Sequence, residues 1–281
     1  MKKKPKSRIA NYGEEIKKGT SDFKEVSIIA LKRFFRWRSR VIWKLLGGII
    51  SFLTFLVVWT AIVEGGFQSL GMLTKDNYIT FLLTGALLWS VIKICLTDMS
   101  HSFIIEKHRK TLPYVMMSPV NRIAYMYGRM SQPALSIIIN NVPVLILGFL
   151  VGFQFHGNMI TALLIFLLTF TAFSGIGIIL ASLASWKEGI QDGSYVLKDA
   201  LYFISGVHYP LAVFPDTFEK AFRFLPTTRA IDALRAVGIE GATLSQVSGT
   251  LIYLAVMSVI TITLGVIIFK KIEKKAMLLG I

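Results

Sequence analysis

The chain has 281 residues, of which 54% are hydrophobic and only 17% charged, with a mean hydropathy of +0.61 and a formal net charge of +15. A soluble domain cannot cover its surface with so little charge, so an integral membrane protein is expected. A lone cysteine, Cys95, excludes an intrachain disulfide or a multi-cysteine metal centre, and the four histidines show no HExxH or other ligand spacing.

Residues 1–22 read as a polar, basic cytoplasmic tail. Over 23–43, Val26, Ile29, Ala30, Phe34 and Trp37 recur at helical spacing, while Lys32, Arg33, Arg36 and Arg40 fall mostly elsewhere. This pattern suits an amphipathic helix in the plane of the bilayer interface; a basic cytosolic helix would share it. The first long apolar run begins near Val41, after a charged segment unlike a cleavable leader, so the first span is expected to stay in the mature protein.

A crossing needs about 20 apolar residues. Windows at 44–63, 78–97, 131–153, 159–184 and 249–269 meet or approach that length, and a sixth at 196–210 is interrupted. Lys and Arg are unevenly divided among the connections: 25 fall on one side of an alternating arrangement and 5 on the other. That is the positive-inside pattern, and it places both termini in the cytoplasm of a multi-pass protein of the cell membrane. The surplus charge then serves topology and attraction to anionic lipid, with no nucleic acid involved.

Within this frame, Lys93 lies a turn from the inner end of the second span, where its stem can snorkel to the headgroups. The third span contains the adjacent pair Asn140 and Asn141, which must either bond to another helix or line a path. Ser174, Gly175, Gly177 and Ala181 give the fourth span a small face for close helix packing. Aromatic Phe52, Phe55, Trp59, Phe81, Trp89, Tyr202 and Phe203 lie in or near the spans, where they either pack or line a substrate path.

No GxxxxGK[ST] occurs, so the chain lacks the phosphate cradle of an ATPase and is not an enzyme in its own right. The five uninterrupted windows hold no Asp or Glu, the groups that usually carry a coupling ion. An energy source outside the chain is therefore favoured, with a channel or ion-coupled carrier as the alternative.

Two separated stretches carry a resemblance. SGVHYPLAVFPDTFEKAFRFLPTTRAIDALR (205–235) supplies Gly206, Tyr209, Pro210, Pro215, Pro226, Thr227 and Arg235; the internal loop supplies Glu106, Thr111, Leu112, Ser118, Pro119 and Val120. In order and spacing these resemble the signatures of ABC transporter type-2 permeases, over residues about 25–270. Leu225 stands where that family often has Asn, and Lys110 where it often has Gly.

The resemblance implies an all-α membrane protein with six transmembrane helices, an N-terminal amphipathic interfacial helix, and re-entrant extracellular helices over 211–248. It implies two permeases side by side, as a homodimer, with two cytoplasmic ATP-binding subunits that hold ATP and Mg²⁺; this chain itself would carry no cofactor. The loop at 104–122 would couple to the ATPase through Glu106, Lys107, Arg109, Thr111, Leu112, Val115, Met116 and Pro119. Cargo would be amphipathic or lipid-like, whether drug, lipid or lipid-linked glycan. Gly206, His208, Tyr209, Pro210, Pro215, Pro226 and Arg235 would form an outer gate, although His208 also suits a merely interfacial position. Asn140, Asn141, Trp59, Trp89 and Tyr202 are the candidate pathway residues.

Overall fold

The computed structural model describes residues 8–36, 38–66, 69–108, 121–186 and 190–279. Its helices are α1 (Arg8–Arg36), α2 (Arg38–Glu64), α3 (Tyr78–His108), α4 (Arg122–Arg129), α5 (Ser131–Leu150), α6 (Met159–Trp186), α7 (Ile190–Ile204), α8 (Asp216–Phe222), α9 (Pro226–Glu240) and α10 (Leu244–Leu279). A two-strand hairpin pairs Ser69–Leu70 with Leu73–Thr74 between α2 and α3.

Five helical stretches are long and apolar enough to cross a bilayer: Val41–Glu64, Tyr78–Met99, Ala124–Leu150 (which runs through α4 and α5), Met159–Ala184 and Leu244–Ile272. They overlap the five uninterrupted windows, with the third starting seven residues and the fifth five residues earlier than expected. The sixth window differs. Helix α7 has 15 residues and opens on the polar Gln191, Asp192, Gly193 and Ser194, so its rise of about 22 Å is short of roughly 30 Å of hydrocarbon.

The amino-terminal region differs too, because tail and amphipathic helix are not divided at residue 22. A single helix runs from Arg8 to Arg36, and residues 38–43 already belong to α2. Ala30 and Phe34 are buried, Val26 packs against Met126 and its neighbours, and the Asp22 carboxylate accepts the Asn121 backbone N–H at 2.8 Å. The apolar stripe of α1 thus faces α4 and α5, while Phe23, Ile29 and Phe35 remain exposed.

Helix α3 is the central element: it touches α2, α5, α6, α7 and α9, and most of its apolar stretch is buried. Helix α6 lies almost backbone to backbone with its neighbours, as its small residues led us to expect. A Cβ on Gly177 would meet the Cys95 carbonyl at 2.3 Å, and one on Gly175 would meet the Ile262 nitrogen at 2.6 Å. The Thr261 hydroxyl donates to the Ala172 carbonyl at 2.8 Å across the same contact. Cys95 is a buried free thiol within this core.

The connections 65–77, 151–158 and 205–243 converge at one end of the bundle. His156 N–H donates to the Gly238 carbonyl at 3.0 Å, and the Cα of Gly71 turns its open side toward Pro210 and Ala212. At the other end an ion pair joins Lys44 of α2 to Asp98 of α3.

Candidate functional site

The interrupted segment is held by side chains from two distant helices, α2 and α9. Helix α7 ends at Ile204, and Gly206 follows at φ +61°, the left-handed conformation that glycine adopts without the Cβ penalty. The non-helical stretch that follows has carbonyls outside any helix or sheet ladder, each costly if left unsatisfied in apolar surroundings. Three consecutive ones are captured here. Arg235 of α9 donates through Nη1 to the Gly206 oxygen at 3.0 Å and through Nη2 to the Val207 oxygen at 2.7 Å. Trp59 of α2 donates through Nε1 to the His208 oxygen at 2.8 Å.

Arg235 is 2% exposed, and its guanidinium carbon sits over the ring of Phe81 of α3, 3.4 Å from the centroid. Asp232 approaches Nη1 only to 3.9 Å. Burial pushes the Arg235 pKa down to about 10, against the opposing pull of Asp232, which leaves a cation at neutral pH. The close fit depends on Gly85, where a Cβ would stand 2.1 Å from the Val207 oxygen. Beneath it, the Ser205 hydroxyl donates to that of Thr227 at 2.5 Å, which fastens the end of α7 to the first turn of α9.

The prolines act locally. Pro210 and Pro215 hold extended backbone (ψ 146° at both) ahead of the short helical turn Leu211–Val213 and α8, and Pro226 occupies the first turn of α9. The Tyr209 hydroxyl donates back to the Phe203 carbonyl. Phe203, Tyr209, Phe214 and Phe222 form a chain of edge-on and tilted aromatic contacts. Of the residues assigned to the outer gate, Gly206, His208, Tyr209, Pro210 and Arg235 lie around the end of α7, while Pro215 and Pro226 open α8 and α9.

Inward of that cluster runs a column of rings. His208 stacks on Phe55 with centroids 3.7 Å apart, Tyr202 meets His208 edge-on at 5.6 Å, and Trp89 follows at 5.1 Å from Tyr202. Next to the column, a cavity of about 20 Å³ is lined by Ser51, Trp89, Ser90, Lys93, Asn140, Asn141 and His208 among others. The Asn pair is bonded between helices and also lines this cavity. Asn141 accepts from the Ser90 hydroxyl and donates to the Leu87 carbonyl at 3.1 Å, so it bonds α5 to α3, while both residues face the cavity.

Thus Trp59, Trp89, Tyr202, Asn140 and Asn141 fall on one tract between α2, α3, α5 and α7. Phe203 points elsewhere and is exposed, whereas Phe52, buried beside Leu82 and Leu83, also lines the cavity. Gly85 and Ser205 were not singled out from the sequence, since a missing Cβ and a small hydroxyl carry no signal until their partners are known. Of the expected coupling residues, Glu106 and Lys107 lie in the last turn of α3. Arg109, Thr111, Leu112, Val115, Met116 and Pro119 lie outside the described residues. Among the described residues no group of His, Cys, Asp and Glu could hold a metal ion.

The chain is similar to three proteins named Nodulation protein J. That of Sinorhizobium fredii (strain NBRC 101917 / NGR234) is 20% identical over 210 residues, covering 74% of this chain and 79% of that one. Those of Rhizobium leguminosarum bv. trifolii and Rhizobium meliloti (strain 1021) are each 20% identical over 207 residues, covering 73% of this chain and 78% of theirs. A family profile described as "ABC-2 family transporter protein" matches residues 66–267, the greater part of the sequence and the whole of the broken segment. This chain therefore belongs to the ABC-2 family of transporter proteins, as a multi-pass membrane permease.

Proposed function

We propose that the chain is the membrane subunit of an ATP-driven exporter, moving an amphipathic or lipid-like substrate outward from the cytoplasm or inner leaflet. Two copies pair in the bilayer of the cell membrane, and two separate ATP-binding subunits sit beneath them. Both termini are cytoplasmic and the chain crosses six times, with α7 and the Gly206–Pro210 segment together making the fifth crossing. Helices α8 and α9 then dip back into the outer leaflet as a lid over the tract.

The observation that carries this reading is the secured break. A helix interrupted in apolar surroundings, with its freed carbonyls held by Arg235 and Trp59, can end a crossing beside a path without exposing backbone to lipid. The ring column below it offers apolar faces to a hydrophobic cargo, and the polar cavity beside it offers a place for a headgroup. ATP binding would draw the partner subunits together and move the 104–122 loops, tilting the spans between inward- and outward-facing arrangements.

Co-purification tests it. An ATP-binding subunit should travel with the wild-type chain and be lost from the variant with Leu112, Val115 and Met116 all changed to Asp. Transport that persists unchanged without any nucleotide-binding partner would point instead to a channel or ion-coupled carrier.

A further inference from the structure

The cavity between α2, α3, α5 and the broken segment contains more polar function than its helix contacts require. Its volume of about 20 Å³ holds roughly one water. Ser90 and Asn141 are committed to each other and to Leu87. Lys93 is not committed: its ammonium has no ion-pair partner among the described residues. The neighbouring cations are already matched, Lys44 with Asp98 and Lys198 with Asp199 at 2.8 Å.

His208 lines the same cavity, 3% exposed, with Nδ1 lacking a hydrogen-bond partner among the described residues. An unmatched ammonium and an orphaned imidazole nitrogen facing one small cavity inside a bilayer are both costly unless something enters to satisfy them. Water can serve the imidazole. An anion would pair with the ammonium, which otherwise stays unmatched or gives up its proton.

We propose that this cavity is the seat of an anionic oxyanion, a phosphate-type headgroup carried by an amphiphile, with Lys93 as its counter-charge and His208 closing the outer side. This deepens the exporter reading and rests on it for the direction of travel. A phosphate is larger than the present volume, so binding requires α2 to part from α5 where Gly48 lies against the Asn140 side chain. The apolar remainder of the amphiphile would lie along Trp89, Tyr202 and Phe55.

The test uses the full-length chain purified in a neutral maltoside detergent, with thermal unfolding followed by tryptophan fluorescence. Dioleoylphosphatidic acid, dioleoylphosphatidylcholine and inorganic phosphate are titrated separately. Phosphatidic acid should raise the midpoint of the wild type with increasing concentration, as a ligand of the native state does, and phosphatidylcholine should not. Lys93→Met keeps the apolar stem and removes the charge; it should raise the midpoint without ligand and need at least tenfold more phosphatidic acid for the same shift. Lys93→Arg should respond like the wild type, as should Lys271→Gln, which removes an exposed cation at the inner end of α10. Ser51→Leu, which crowds the cavity and leaves Lys93 charged, should lose the response even if Lys93→Met fails to purify.

A Lys93-dependent shift from inorganic phosphate alone would support the oxyanion site and identify a solute as its occupant. An undiminished response in Lys93→Met, or equal loss in Lys271→Gln, would overturn the proposal. Because no ATP-binding subunit is present in this assay, such a failure leaves the exporter reading to its own co-purification test.

Discussion

Replacing Arg235 with Met perturbs the break most directly. The guanidinium satisfies the Gly206 and Val207 carbonyls at 3.0 and 2.7 Å, and each buried carbonyl left bare costs about 1–3 kcal/mol. Loss of the cation over Phe81 adds about 0.5–2 kcal/mol. Against this, methionine fills part of the volume, and a buried cation only loosely matched by Asp232 at 3.9 Å is removed, which recovers part of its desolvation cost. The balance is a destabilisation of about 3 kcal/mol. Lys in the same place can reach one carbonyl but neither forks to two nor stacks on the ring, so it should lose roughly half as much. The assay is denaturant or thermal unfolding of the purified chain in detergent, with tryptophan fluorescence as the signal. If Arg235→Met lies within about 0.5 kcal/mol of wild type, the range of an ordinary surface substitution, the capture of the freed carbonyls does not hold the break together.

Gly85→Ala places a Cβ 2.1 Å from the Val207 oxygen and 2.8 Å from Arg235 Nη2; since the backbone oxygen cannot yield as a side chain does, detergent-extracted yield and unfolding midpoint should both fall sharply. Gly206→Ala strains a φ of +61° and sets its Cβ 2.9 Å from the Tyr209 carbonyl, for an expected loss of about 1–3 kcal/mol in the same unfolding assay.

The membrane architecture was legible because hydrocarbon thickness imposes a length that composition alone reveals, and five of the expected windows recur as helices. The break was legible for a related reason: Gly206, Pro210 and Pro215 disrupt an apolar run, and the signature around them groups Thr227 and Arg235 with it. What the break is fastened to was not. Trp59 lies 149 positions from His208, the carbonyl it holds, and neither an indole N–H nor the absence of a side chain at Gly85 announces a distant partner.

The extent of α1 was misjudged because Arg8–Asp22 carries too few apolar residues to display a helical stripe. Its helix depends instead on continuity with Phe23–Arg36, whose Ala30 and Phe34 are buried. Helix α7 has as many residues as the expected window but lies six positions earlier, at Ile190–Ile204. The apolar run of 196–210 continues past Ile204 into residues that are not helical, so hydropathy extends beyond the hydrogen-bonded turn.

The central claim is that this permease works with an ATP-binding partner seated on the 104–122 loop. Its most direct measurement is the ATP hydrolysis that co-purifies with affinity-captured chain from its own membranes. The account predicts hydrolysis in the wild-type eluate and background levels from the variant carrying Asp at 112, 115 and 116, with both chains recovered in equal amount. Equal hydrolysis from both, or a wild-type eluate free of any nucleotide-binding subunit yet competent in transport, would contradict it.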